Sequence, residues 1–99
     1  NTDEIELAFV PREDILIFPK YVYGVSPQLL EYLKDNNVTS IDVCGLNTDG
    51  CVTKICMDLF DNGIQPKVLS DYCASTVGKL VHEQALVSLK HIIGANNVI

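Results

Sequence analysis

Residues 45–63 read GLNTDGCVTKICMDLFDNG, a glycine-framed loop that runs directly into an apolar-periodic segment. Val52, Ile55, Cys56, Leu59 and Phe60 recur at i, i+3, i+4, i+7 and i+8, the spacing of one buried helix face, and Gly63 supplies a carboxy-terminal cap. Upstream, residues 38–44 (VTSIDVC) read as a short strand stopped by Gly45. Downstream, residues 67–70 (KVLS) read as another. A strand, a tight turn, a helix and a second strand make a β-α-β unit, whose strands run parallel.

The same alternation continues outward. Residues 15–18 (ILIF), closed by Pro19, read as a strand buried on both faces. Ser26-Pro27 starts a helix, with Ser as N-cap and Pro in the first turn. Leu29, Leu30 and Leu33 form its apolar face, and Asn36-Asn37 ends it. Past a loop at residues 73–76, Val81, Ala85, Leu89, Ile92 and Ile93 share one stripe of a third helix that stops at Gly94. Residues 97–99 (NVI) read as a last short strand. Residues 1–14 are mixed and acidic, and read as a loop or as the end of a longer element. The expected order is β-α-β-α-β-α-β: an α/β fold, with a parallel sheet and helices on its faces.

Composition narrows the function classes. The chain has 99 residues, 47% hydrophobic and 20% charged, enough for one small domain. A net charge of −6 carries no footprint for nucleic acid or an anionic membrane surface. No stretch approaches the ~20 apolar residues of a membrane span, and no leader pattern is present. The four cysteines at 44, 51, 56 and 73 form no CxxC pair, and with two histidines they do not read as a metal site. They read as free thiols in a reducing compartment, the cytoplasm. Cys44 and Cys56 both lie in apolar patterns and read as core residues.

In open parallel sheets, ligands bind beyond the carboxyl ends of the strands. Two such ends carry reactive residues: Lys20, just past residues 15–18, and Cys51, in the loop after residues 38–44. At a helix start, unpaired N–H groups and the positive end of the dipole favour a thiolate. The same N–H groups can hold the oxyanion formed when a carbonyl is attacked. The plainer readings stand beside these. A cysteine near a helix start is often a passive small residue, and Lys20 a solvated one. Cys73 and Asp71 fall on a loop at the same sheet end without a defined role. His82 and His91 read as surface residues of the third helix.

The arrangement Gly45-x-x-Thr48-Asp49-x-Cys51-Val52, with Asp58 and Gly63 downstream, resembles the nucleophile motif of the isochorismatase-like cysteine hydrolases. That group includes nicotinamidases and N-carbamoylsarcosine amidohydrolase. The resemblance continues through KVLSDYCAST and reaches back to Lys20, ahead of a Leu-rich helix. It implies a Rossmann-like fold and a Cys-Lys-Asp triad, with Cys51 as nucleophile and Lys20 as the cation beside it. It further implies a cis peptide at Leu46–Asn47 and an oxyanion hole from the N–H groups of Asn47 and Cys51. Where such proteins carry a small residue and Phe after the lysine, this chain has YVYGVS, so Tyr21 or Tyr23 would face the substrate. Ile55 replaces a common threonine.

The resemblance also implies an aspartate base on an earlier strand, outside these 99 residues, and places the metal ligands of nicotinamidases there too. The chain is therefore expected to be the carboxy-terminal part of one such domain, with no metal or cofactor of its own. Its partners would be a small-molecule substrate and either the amino-terminal half or further copies of itself. A different class of function remains open on the residues alone: a binding or scaffold fragment that does no chemistry. A thiol switch using Cys51 and Cys73 lacks the spacing of a resolving pair.

Overall fold

The computed structural model describes residues 14–99. In chain order these form α1 (Pro27–Asp35), β1 (Ser40–Leu46), a π-helical turn (Thr48–Val52), α2 (Thr53–Asp61), β2 (Gln65–Ala74), α3 (Lys79–Ile93) and a 3-10 turn (Ala95–Asn97). The fold is α/β, as expected. Among the described residues the sheet has two strands, β1 and β2, which pair in parallel from Ser40 opposite Gln65 to Leu46 opposite Ala74. The register breaks in the middle: β2 advances from Val68 to Cys73 while β1 advances from Val43 to Gly45. Residues 69–72 of β2 have no register partner on β1, and pairing resumes at Cys73 and Ala74, so this bulge carries β2 well beyond residues 67–70 in a way that no simple alternation announces.

Local chemistry explains the helices. Ser26 has extended backbone, and its hydroxyl accepts the N–H of Leu29 at 3.2 Å, with Pro27 following. Asn37 takes a positive φ of 54°, and the Val38 N–H reaches back to the Leu33 carbonyl at 2.9 Å. Gly63, at φ 75°, does the same for α2: its N–H reaches Phe60 O and that of Ile64 reaches Leu59 O, the paired bonds of a Schellman end.

One core joins these elements. Leu33, Val43, Val52, Cys56, Leu59, Ile64, Val68, Leu89, Ile93 and Val98 are buried together. Phe60, expected on the α2 stripe, is 51% exposed, so that stripe is narrower than its periodicity suggests. No helix among the described residues is long and apolar enough to cross a membrane.

Three expectations fail here. Residues 15–18 are not a strand, and Ile15, Leu16 and Ile17 are exposed. A strand exists through a neighbour's backbone, and among the described residues neither β1 nor β2 pairs with residues 15–18. What anchors this segment is Phe18, whose ring lies 5.4 Å from that of Tyr32 on α1. Residues 97–99 contribute a single parallel bridge, Val98 to Val68, backed by Ile99 N–H to Val68 O and Ser70 N–H to Ile99 O. Cys44 is exposed rather than core. Strand alternation turns it away from buried Val43, towards a face that the described residues leave open. The reading of residues 1–13 lies outside the described residues.

Candidate active site at the carboxyl end of β1

β1 ends at Leu46, and the next peptide bond, Leu46–Asn47, is cis. The Asn47 carbonyl then accepts two N–H groups, from Gly50 at 3.0 Å and from Val52 at 3.1 Å. The second spans five residues, which is why the turn is π-helical rather than α-helical. Helical backbone therefore starts at Thr48, and Cys51 sits half-buried in its first turn, two residues before α2.

Side chains lock this turn from both sides. The Asn47 amide donates to Thr76 Oγ1 at 3.1 Å, and the Thr76 N–H returns a bond to Asn47 Oδ1 at 3.2 Å. Thr48 is fully buried, and its hydroxyl lies 2.6 Å from His82 Nδ1 on α3. The Thr48 carbonyl accepts the Thr53 hydroxyl at 2.6 Å. The Cys51 turn is thus tied to β2's exit loop, to α3 and to the start of α2.

Lys20 lies on the segment before α1. Its ammonium donates to the carbonyls of Val22 at 2.6 Å and Tyr23 at 3.1 Å, folding the segment around its own cation. The segment meets α2 at Asp58, whose Oδ2 accepts the Val25 N–H at 3.0 Å. Tyr23, Asn47, Asp49, Gly50 and Lys54 line an open depression of about 480 Å³. Tyr23 and Asn47 thus border one space, with Cys51 adjoining Gly50 in the turn. Tyr21 and Lys20 are not in that lining, and Tyr21 is 65% exposed.

The thiols differ in environment. Burial pushes the Cys56 thiol up to about 11, with the nearby Cys73 thiol adding to the rise. Burial also raises Cys73, partly countered by a hydrogen bond from the Gly45 backbone. A buried thiol resists ionisation because the charged form loses its water. Among the described residues no group of three or more His, Cys, Asp or Glu is clustered as a metal centre requires.

With the geometry in place, comparison with known proteins is direct. The sequence profile of the isochorismatase domain matches residues 2–96. The chain belongs to the isochorismatase family. Isochorismatase family protein 2A of Dictyostelium discoideum is 30% identical over 69 residues, covering 67% of this chain and 34% of that relative. An isochorismatase-like hydrolase from Alkaliphilus metalliredigens superposes with a TM-score of 0.76 at 26% identity, covering 86% of this chain and 47% of that one. A nicotinamidase from Bacillus subtilis superposes at 0.69 and 30% identity, covering 76% and 42%. The chain therefore spans about a third to a half of the length of these isochorismatase relatives.

Against this family background, sequence reasoning missed the residues that brace the site. His82 is not a plain surface residue but the half-buried partner of Thr48. Its spacing held a signal, since 82, 85 and 89 fall along the edge of the buried α3 stripe. Thr76 had no such signal, and the motif position of Asp58 gave no hint of what its carboxylate meets. Their partners lie 29 and 33 residues away in the chain.

Proposed function

We propose that the protein carrying this chain is a cysteine hydrolase that cleaves a small amide or a related carbonyl compound through Cys51. The observation that carries this reading is the placement of Cys51, in a braced first helical turn at the carboxyl end of β1, within the family's Gly-x-x-Thr-Asp-x-Cys-Val arrangement. The thiolate attacks the carbonyl carbon, and the N–H groups of Asn47 and Cys51 receive the oxyanion. The C–N bond breaks, the amine departs with a proton, and a thioester remains on Cys51. Water then hydrolyses the thioester, releasing the acid and regenerating the thiol. In this reading Lys20 supplies the cation of the site, and Tyr23, which borders the depression beside Gly50, forms one wall for the substrate.

The aspartate that takes the thiol proton belongs, in this reading, to protein outside these 99 residues. The lengths of the structural neighbours support that, as do exposed Ile15, Leu16, Ile17, Leu46 and Tyr72. These apolar side chains, with the outer edge of β1, suit the missing half of the same domain or a second copy. The four free thiols suit a reducing, cytoplasmic setting.

The test is ammonia release from nicotinamide or a carbamoyl compound by the full-length protein. Lys20→Ala should cost about 10²-fold or more, Cys51→Ala more still, and Cys73→Ala little. The 99-residue chain by itself should not turn over. Turnover that survives Cys51→Ala would overturn the assignment, and an inactive full-length protein with an intact aspartate would favour a binding fragment.

A further inference from the structure

Resting on the proposed reaction at Cys51, we infer that Asp58 is a positioning residue that sets the Lys20–Tyr23 segment against the Cys51 turn. Asp58 lies seven residues after Cys51, two helical turns along. Its two carboxylate oxygens do different work. Oδ1 holds the Lys54 ammonium at 2.7 Å, and Oδ2 accepts the Val25 N–H at 3.0 Å. Gly24 is buried beside it, so close that a Cβ there would collide with Asp58 Oδ2. The carboxylate therefore grips backbone immediately after Tyr23.

That grip is transmitted as a unit. Lys20 clasps the carbonyls of Val22 and Tyr23, so residues 20–25 form a closed loop whose far side is pinned to α2. Tyr23 and Lys54 both line the depression beside Asn47 and Gly50. The Lys54–Asp58 pair itself is an exposed i,i+4 contact of small value. The bond to the Val25 backbone is the one that joins two segments 33 residues apart. Without it, the segment that carries Lys20 and Tyr23 loses its tie to the helix that follows Cys51.

The experiment uses the full-length protein, with amide exchange at Val25 and hydrolysis of a small amide as paired readouts. Asp58→Ala should speed exchange at Val25 about ten- to hundredfold, the usual range for losing a hydrogen bond to a charged acceptor. It should also lower kcat/KM by about 10²-fold, the scale of a misplaced catalytic group. Asp58→Asn keeps an oxygen facing Val25 and should recover most of both, whereas Asp61→Asn, an exposed carboxylate on the same helix, should change neither. Gly24→Ala should mimic Asp58→Ala, yet add little in an Asp58→Ala background, where the colliding atom is gone. Lys54→Gln should leave Val25 protected. Unchanged exchange at Val25 in Asp58→Ala would overturn the inference, as would an Asp58→Asn protein as impaired as Asp58→Ala. If the wild-type protein hydrolyses no amide, the hydrolase reading fails, and exchange at Val25 with the Gly24 and Asp58 double variant still decides the role of Asp58.

Discussion

The Cys51 turn and the Lys20 segment are held in contrasting ways. The turn at Thr48–Val52 is bound to three neighbouring elements through Asn47, Thr48 and Thr53, and Val52 is almost wholly buried. Among the described residues the Lys20 segment has its own carbonyls around its cation, an aromatic contact at Phe18 and an anchor at Asp58, while Ile15, Leu16 and Ile17 are exposed. The bracing of the Cys51 turn is therefore supplied from within this chain. The Lys20 segment instead leaves apolar side chains uncovered, which fits the proposed covering half.

The largest expected effect tests that contrast by packing. Leu89 is fully buried in the core that also holds Val52, and Leu89→Ala should cost about 2–5 kcal/mol in denaturant unfolding. Leu16 is 59% exposed, so Leu16→Ala should change the stability of the 99-residue chain by less than about 0.5 kcal/mol. In the full-length protein the same Leu16 change should cost more than about 1 kcal/mol if the proposed half covers that side chain. Equal effects in both proteins would remove the case for a covering half.

Within the turn, Thr48→Val keeps the shape but removes the hydroxyl that meets His82. It should cost about 1–3 kcal/mol, as a half-buried imidazole nitrogen loses its partner. A denaturation midpoint that does not move would show that the bond to α3 braces nothing.

The thiols give a pH-dependent check. Cys56, pushed up to about 11, should be about one part in a thousand thiolate at pH 8, and should alkylate most slowly of the four. Cys73, also raised, should follow, with exposed Cys44 and half-buried Cys51 ahead. Mass spectrometry after limiting iodoacetamide reads this order. The linkage runs the same way: the unfolded Cys56 ionises before the folded one, so its contribution to stability is complete below the ordinary thiol range and erodes as pH climbs towards about 11. Denaturation midpoints at pH 8 and pH 10 should therefore fall in that order.

A modest effect is expected at the edge of the second region. Ser26→Ala removes the N-cap of α1 and should cost about 1 kcal/mol, seen as a modest drop in midpoint.

What the sequence determined by itself is whatever depends on near neighbours. Ser26-Pro27, Asn36-Asn37 and Gly63 set helix ends because their bonds close within a few residues. The apolar stripes of α2 and α3 place one face inward, and the spacing from Gly45 to Cys51 marks a turn that carries a thiol. Tertiary structure decided the rest. Residues 15–18 have strand composition, but a strand requires a partner's backbone, which their own pattern does not supply. Cys44 is apolar in context, yet its burial depends on which elements cover the second face of β1. His82 with Thr48, Thr76 with Asn47, and Asp58 with Val25 meet across 29 to 34 residues. A polar side chain carries no local mark of such a distant partner, since its hydrogen bond is equally available to water until the fold brings the two together.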